Sequence, residues 1–509
     1  MADQAPILIL LFPLFGAVLV SLAGPWKRQI CLPVVLIALV GSLACAVTTF
    51  REVLQYGEVQ YFLGGWSSPL GIGIQIRIDS INGLVAMVAP AVALITALYS
   101  TGLIEEEFEG KVPLYYALFL LSTAGLIGMS LAGDAFNLYV LLEVASLTGY
   151  ALVAIGRKRR AAMSAFNYII MGTVGASFYL LGVGYLYIRT GSLNMADIHQ
   201  IIVGQDLAAS KIIQVAFILI LIGVWIKMAF FPLHGWLPNV YSNAPSTSAC
   251  LLAPLVTKVA IYVMIRMMLN VFGPDLVFGA LPWSHLVVWL AVVDIVVASF
   301  LALAQTGLRR MLSYLIIAEV GYMVGGAWLA NHYGMVGAIY HIVSDAFMTL
   351  CMFLAAGILF RESDALTGFK GMFKRRPYTM AAFILGALSM IGIPPTCGFF
   401  SKFYLIRGGI ESGHWEFVIA LLLSSLINII LFFRIIENAF FRTGPENAHT
   451  GHHEEGDEEG EPAAATPFIQ SAALWTTAGA LLLIGIFNQP IVGWIETTLR
   501  PFAIIGGQS

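Results

Sequence analysis

Charged residues are scarce in this 509-residue chain, where Asp, Glu, Lys and Arg together make up 11% of the sequence. A soluble globular chain carries about 25% charged residues. Hydrophobic residues make up 59%, and the mean hydropathy is +0.86. This composition excludes an ordinary solvated surface and indicates a chain that lies in a lipid bilayer.

Cysteine is also rare, with five residues in the whole chain and no Cys-x-x-Cys spacing. The sequence therefore predicts neither a disulfide framework nor a zinc or iron–sulfur site. No cofactor and no bound metal are expected. The formal net charge of −3 indicates no particular partner, and no nucleic-acid partner is expected.

Long apolar runs are what the sequence has in abundance. About 14 of them are long enough to cross about 30 Å of hydrocarbon, and backbone groups in lipid are satisfied within a helix. The sequence thus predicts an all-α integral membrane protein. The runs lie near 6–24, 29–49, 80–103, 112–132, 136–156, 164–188, 212–232, 245–269, 285–304, 311–330, 335–360, 379–405, 416–440 and 467–487.

Basic residues cluster at 27–28, 157–160, 309–310 and 370–376. In the 14-span interpretation, all four clusters fall in odd-numbered loops. Loops rich in Lys and Arg face the cytoplasm, so the odd-numbered loops are predicted to be cytoplasmic and both termini to face outward. The expected location is the inner (cytoplasmic) membrane of the cell.

The polar insertions are short, and no soluble domain is predicted. An alternating stretch at 72–78 predicts a short strand or hairpin. The loop at 441–466 is acidic and contains His449, His452 and His453. Its composition favours a solvated segment, and a cation-collecting or metal-binding tract is the alternative.

The charges of the membrane region suggest an internal repeat. An acid–base–base triplet occurs twice with similar spacing, as Glu143, Lys227 and Lys258 and then as Glu319, Lys402 and Arg434. Two successive units of five helices each are necessarily inverted across the membrane, which is typical of transporters. A coincidental spacing is the alternative. The predicted organisation is a three-helix region at 1–111, repeats at 112–270 and 285–440, the acidic loop at 441–466 and a last helix at 467–509.

Glu143 and Lys227 are predicted to form a pair within the membrane. Charged groups within spans are costly and are functional by default. Glu143 lies near the middle of the fifth span, and Lys227 ends the seventh apolar run just before Pro232, which interrupts a helix. Free carbonyl groups and water at such an interruption can solvate an ammonium group. The pair suits proton exchange; a structural ion pair and a lysine that snorkels to the interface are the alternatives.

Other charged residues extend this prediction. Lys258 lies in the middle of a span, and Lys402 follows the helix-breaking Pro394–Pro395. His341 and Asp345 are four residues apart and share a helix face, so they could join the lysine sites or form a purely structural pair. His234, in the broken seventh span, is either a proton carrier or a partner for free carbonyl groups. Asp79 is predicted to cap the third helix.

Four motifs carry a family resemblance: "LLEVASLTGYALV", "KMAFFPLHGWLP" with the downstream "APLVTKVAIY", "QTGLRRMLSY" and "IGIPPTCGFFSK". They resemble the antiporter-like membrane subunits shared by respiratory complex I, membrane-bound hydrogenases and multisubunit Mrp-type sodium/proton antiporters. The early "GGWSSPLGIGIQIRID" looks most like the D subunit of the Mrp type. The resemblance implies 14 helices, interrupted seventh and twelfth helices and two inverted five-helix repeats.

The resemblance also implies site residues. The essential glutamate of the fifth helix falls on Glu143, and the lysines of the seventh, eighth and twelfth helices fall on Lys227, Lys258 and Lys402. Many members have a lysine in the eleventh helix where this chain has Thr349. That departure removes one relay candidate and leaves His341 and Asp345 to bridge the gap.

The predicted function is proton translocation by a membrane subunit of a larger complex, with sodium/proton antiport as one form of that activity. The expected partners are other membrane subunits, protons, Na⁺ and the lipid bilayer. Redox chemistry, if the complex performs any, would belong to other subunits. A stand-alone transporter for an organic solute and a structural membrane scaffold are the alternatives.

Overall fold

The computed structural model describes residues 4–65, 74–280, 283–359, 365–441 and 467–502. The described chain is almost entirely helical, and thirteen of its helices are long and apolar enough to span a membrane. We number the membrane helices in chain order and divide two of them into halves. They are α1 Ala5–Ala23, α2 Cys31–Tyr56, α3 Ser80–Tyr99, α4 Val112–Leu131, α5 Ala135–Ala154, α6 Arg159–Thr190, α7a Lys211–Met228, α7b Leu237–Asn243, α8 Ser246–Arg266, α9 Ser284–Leu303, α10 Leu308–Trp328, α11 His332–Leu359, α12a Pro377–Ile391, α12b Cys397–Glu411, α13 Trp415–Phe441 and α14 Phe468–Ile486.

The twelfth predicted span, at 379–405, is the broken helix α12. Its first half ends at Gly392, whose φ of 94° lies in the left-handed region that glycine adopts without strain. Pro394 and Pro395 follow, and neither has a backbone N–H to donate to a helix. The chain becomes helical again at Cys397. The all-α membrane fold and the interruption of the twelfth helix are confirmed.

The seventh helix is interrupted as predicted. Its first half ends at Met228, and Ala229 takes a left-handed φ of 60°. The second half begins at Leu237, with Pro238 in its first turn, where a missing N–H costs little. Trp236 Nε1 donates to Ile226 O over 3.0 Å and so ties the break to the end of the first half.

The two breaks occupy corresponding places in the predicted five-helix units. Each break falls in the fourth helix of its unit, and in both units neighbouring helices along the chain pack on each other up to that break. The repeat boundaries at 112–270 and 285–440 remain predictions. Helices α8, α10 and α11 form the centre of the molecule, since 94% of the residues in the most apolar stretch of each are buried.

The N-terminal region contains a small antiparallel hairpin. Strand β1, Val59–Phe62, pairs with strand β2, Gln75–Ile78, in the register Val59 to Ile78. The strand predicted at 72–78 is confirmed over its described part. Asp79 then caps α3 by accepting hydrogen bonds from the backbone N–H groups of Ile81 and Asn82, as predicted.

Short helical segments lie between the membrane helices or follow the last of them. The acidic loop predicted at 441–466, with its three histidines, lies outside the described residues except for Phe441, which ends α13. The short segments are Arg28–Ile30, Leu63–Gly65, Ile104–Glu107, Met195–Gly204, Leu207–Ala209, Met267–Phe272, Asp275–Ala280, Leu366–Phe369, Met372–Arg375 and Asn488–Leu499.

Candidate functional site

Lys227 and Glu143 meet between α7a and α5. The Lys227 ammonium lies 3.6 Å from Glu143 Oε1, and it donates to Ser146 Oγ over 2.7 Å and to the Tyr150 hydroxyl over 3.3 Å. Lys227 is buried, and its partners lie on successive turns of α5. The predicted pair is confirmed, and two hydroxyl groups complete the surroundings of the ammonium.

Glu143 lies at the edge of this group and faces partly outward. Its side chain is 24% exposed in the isolated chain. On the same helix, Phe136, Val140 and Leu147 are exposed, and their spacing places them in one stripe with Glu143. A carboxylate within an outward-facing apolar stripe is costly next to lipid, so this stripe is expected to be covered in the assembled protein.

His234 lies in the break of α7 and is half-buried. Its ring stacks on Phe231, with 5.5 Å between the ring centroids. Within the described part of the chain, Nδ1 has no hydrogen-bond partner, and no hydrogen bond or ion pair connects the ring with Lys227. The structure therefore places His234 near the interruption but outside the group of residues around Lys227.

Lys258 and Asp345 form the central ion pair, between α8 and α11. Lys258 Nζ lies 2.8 Å from Asp345 Oδ2, and both side chains are almost completely buried. The Thr349 hydroxyl donates to Asp345 Oδ1 over 2.7 Å and accepts from Lys258 over 3.3 Å. Thr349 thus orients the pair. Many members of the family that the sequence resembles have a lysine at this position.

Lys258 is also held by its own helix, where it donates to Ala253 O over 3.3 Å. One turn earlier, Pro254 has no N–H and leaves Cys250 O without its helical donor, and Thr96 Oγ1 of α3 donates to that carbonyl over 3.3 Å. A backbone carbonyl group thus helps to hold the ammonium group in the core.

Glu319 of α10 is buried next to the central pair. Only 1% of the residue is exposed, and its carboxyl group lies among the charges of Asp345, Lys258 and Lys402. Glu319 therefore lies in the core of the helix bundle. The carboxyl groups of Glu319 and Asp345 are neighbours, and two adjacent buried carboxyl groups can share a proton.

Lys402 lies six residues into α12b and reaches back across the break. Its ammonium donates to Met390 O over 2.8 Å, to Ile391 O over 3.2 Å and to Ser425 Oγ over 2.9 Å. It also lies 5.3 Å from the centre of the Tyr322 ring, a cation–π contact. The carbonyl groups freed at the end of α12a therefore bind this cation.

His341 connects to the Lys402 region through a hydroxyl. Its Nδ1 lies 2.8 Å from Ser401 Oγ, next to Lys402 in the chain. The predicted His341–Asp345 pair is not hydrogen-bonded, because Asp345 turns to Lys258 and Thr349 instead. Both residues nevertheless lie in the same buried group, where the charge of Asp345 acts on His341.

The residues that the triplet repeat pairs have different surroundings, and the repeat itself stays a prediction. Lys227 is the penultimate residue of its first half-helix, whereas Lys402 lies beyond the break of its own helix. Lys258 is buried in the core, whereas Arg434 is exposed on α13.

Asp294 is a buried charge that the sequence analysis missed. It lies halfway along α9 and is completely buried. Its carboxyl group lies against Gly321 of α10, where an added Cβ would come within 3.0 Å of Oδ2, and beside the backbone of Phe231 in the α7 break. The rule that a charge within a span is functional by default would have found it in the run "LAVVDIVVASF".

Comparison with known proteins identifies a family over more than half of the chain. Residues 132–428 match the model of the NADH:quinone oxidoreductase/Mrp antiporter transmembrane family. The chain belongs to this family. All seven predicted site residues lie within the matched segment.

Two curated relatives and one solved structure show the extent of the similarity. The N subunit of the NADH-quinone oxidoreductase of Desulforudis audaxviator is 38% identical over 99% of this chain and 100% of its own length. The D subunit of the Na⁺/H⁺ antiporter of Bacillus subtilis is 30% identical over 79% of this chain and 80% of its own length. A chain of the membrane-bound sulfane sulfur reductase, an archaeal respiratory membrane complex, is 26% identical with a TM-score of 0.83 over 97% of both chains.

These relatives confirm the family resemblance, including that to the D subunit of the Mrp type. They are subunits of multisubunit membrane complexes, and this chain is a multi-pass membrane protein of the same fold.

Proposed function

We propose that this chain is a proton-translocating subunit of a multisubunit membrane complex, and that protons move along its buried charged residues. The observation that carries the proposal is the placement of two buried lysines at two interrupted helices, with a buried ion pair between them. Each lysine has acceptors that stabilise its charged form. Charged groups within membrane helices are costly, which favours a function for them.

The first part of the path is the group of Glu143 and Lys227. A carboxylate and an ammonium 3.6 Å apart can exchange a proton, and the hydroxyl groups of Ser146 and Tyr150 lie within hydrogen-bond distance of the ammonium. Burial and the opposite charge act against each other on such a pair, so its protonation state responds to small changes nearby. That property suits a proton carrier.

The second part lies in the centre and the second unit. Lys258 and Asp345 are in direct contact, Glu319 is their neighbour, and Lys402 lies within reach of the Glu319 charge. His341 adds a second group beside Lys402 through Ser401. This sequence of acids and bases leads from α8 through α11 and α10 to α12b.

The exposed stripe of α5 supports assembly with other membrane subunits. Glu143 lies in that stripe within the membrane, and a neighbouring subunit that covers it would remove the cost of a lipid-facing carboxylate. The same subunit could offer or receive the proton at Glu143. We place the basic clusters on the cytoplasmic side of the inner membrane and both termini outside.

The test measures proton transport by the assembled complex in inverted membrane vesicles with a fluorescent pH-gradient probe. Glu143→Gln and Lys227→Met are expected to lower the rate roughly 10²-fold, which is typical for loss of a proton-transfer group. Lys211→Met is the matched control, since Lys211 begins the same helix and is exposed. Normal transport by both site variants, with normal amounts of assembled complex, would refute the proposed path.

The same vesicles distinguish sodium/proton exchange from transport that is driven by redox partners. If the complex exchanges sodium for protons, an inward or outward Na⁺ gradient alone produces a pH gradient that both site variants abolish. A pH gradient that forms only when an electron donor is supplied would instead assign the coupling to redox partners.

A further inference from the structure

A large basic cavity opens between the start of α6, the half-helix α7b and the segment that leads into α10. Its volume is about 830 Å³. Four cationic side chains line it: Lys158, Arg159, Arg160 and Arg310. These residues belong to two of the clusters that are expected on the cytoplasmic side. The proposed proton path does not use this cavity.

The cavity is built for an anion. Among the described residues that line it there is no carboxylate, and the remaining polar groups are amides and hydroxyls that can donate hydrogen bonds, including Asn239 and Asn243 of α7b. Arginine binds phosphate oxygens through two parallel N–H donors, and three of the four cations are arginines. The volume is within the range of sites that hold small ligands.

An apolar surface leads away from the cavity along α6. Met163 lines the cavity and is 64% exposed, and Phe166, Ile170 and Val174 continue from it as an exposed stripe with helical spacing. This stripe faces outward on a helix that is long and apolar enough to span a membrane. A ligand that fits both features therefore has an anionic phosphate group at one end and hydrocarbon at the other.

We propose that this cavity binds the headgroup of an anionic phospholipid whose acyl chains lie on the exposed stripe of α6. Basic pockets between membrane helices on the cytoplasmic side are suited to such headgroups. The bound lipid would contact α7b, which Asn243 ties to α6 by donating to Ser164 Oγ over 3.0 Å. The lipid would thus support the half-helix that follows the break after Lys227.

The experiment uses the purified complex in nanodiscs that contain phosphatidylglycerol or phosphatidylcholine with identical acyl chains. Native mass spectrometry counts the lipids retained after transfer to detergent. The wild-type complex should retain phosphatidylglycerol on this subunit and not phosphatidylcholine. Arg159→Gln/Arg310→Gln should bind phosphatidylglycerol roughly 30-fold more weakly, because two cations near the membrane surface are lost.

The matched control is Lys27→Gln/Arg28→Gln, which removes two exposed cations on the same predicted side and leaves the cavity intact. Equal retention of phosphatidylglycerol by both double variants would overturn the proposal. Displacement of the lipid signal by millimolar inorganic phosphate would show a soluble-anion site instead. If no lipid is retained and a neighbouring subunit covers the cavity in the complex, the cavity is a protein interface instead.

A second measurement needs no variant and covers the case in which the arginine variant fails to assemble. A photoactivatable phosphatidylglycerol is crosslinked to the wild-type complex, and the labelled peptides are mapped. Labelling should concentrate on residues 158–174 and be reduced by unlabelled phosphatidylglycerol but not by phosphatidylcholine. Labelling spread evenly over the other exposed membrane helices would also overturn the proposal.

Discussion

The two broken helices hold their lysines in different ways. Lys227 lies before its break and reaches across to another helix, where it meets a carboxylate and two hydroxyl groups. Lys402 lies after its break and reaches back to the carbonyl groups that end the first half of its own helix. One ammonium is therefore balanced by a counter-ion, and the other is held by backbone dipoles.

The difference shows that an interrupted helix can stabilise a buried cation by two routes. The freed carbonyl groups at a helix end carry partial negative charge and can bind an ammonium directly. An ion pair across two helices makes the cation depend on a second residue, whose protonation then affects it. We expect Lys227 to respond to its neighbours more strongly than Lys402.

The largest effect is expected when the Lys258–Asp345 ion pair, which is proposed to connect the Lys227 and Lys402 regions, is disrupted. Asp345→Leu removes the carboxylate that is in direct contact with the buried Lys258 ammonium, which is expected to cost about 3–5 kcal/mol and to lower the amount of assembled complex. The double variant Asp345→Leu/Lys258→Met removes both charges and should recover assembly but not proton transport. The measurements are complex yield on native gels and vesicle transport.

Recovered transport in that double variant would show that the two regions do not communicate through the central pair. Loss of assembly in the double variant as well would show that the pair is chiefly structural.

The comparison predicts unequal stability losses when each lysine is replaced by the same residue. Lys227→Gln leaves the Glu143 carboxylate without its cation, and about 2 kcal/mol of stability should be lost. Lys402→Gln should cost about 1 kcal/mol, because its amide can still donate to Met390 O, and Glu319 keeps Lys258 as a neighbouring cation. Thermal unfolding of the purified complex measures both.

A greater loss of stability for Lys402→Gln than for Lys227→Gln would contradict the interpretation that a counter-ion stabilises Lys227 and backbone dipoles stabilise Lys402. Glu143→Gln/Lys227→Gln is the control, since it removes both charges of the first pair and should be more stable than Lys227→Gln alone.

The smallest expected effect concerns Thr349, which lies beside the central pair. Thr349→Val keeps the shape of the side chain but removes the hydroxyl that donates to Asp345 Oδ1, at a cost of about 1 kcal/mol. Transport should fall by roughly 10-fold or less, since the ion pair itself remains. Thr349→Ser keeps the hydroxyl and should behave as wild type; equal behaviour of the Val and Ser variants would exclude an orienting role.

The broken helices could be predicted because their causes are local. Proline cannot donate to a helix, and in each break a proline follows two or three residues after a residue in a left-handed conformation. The pairing of Lys227 with Glu143 was predicted as well, since both are isolated charges in apolar spans. The partner of Asp345 was not predicted. Its spacing along the chain indicated a pair with His341, four residues away, whereas in the structure Asp345 forms an ion pair with Lys258 on another helix.

The sequence by itself determined the membrane spans, the two interruptions and the presence of buried charges, because each follows from the local chemistry of the chain. Only the tertiary structure decided which groups meet. The packing of α8, α10 and α11 brings Lys258, Asp345 and Glu319 together, and the fold of α12 turns Lys402 toward Met390 O. A buried charge takes its partner from whatever lies within about 4 Å in space, and that distance is set by helix packing.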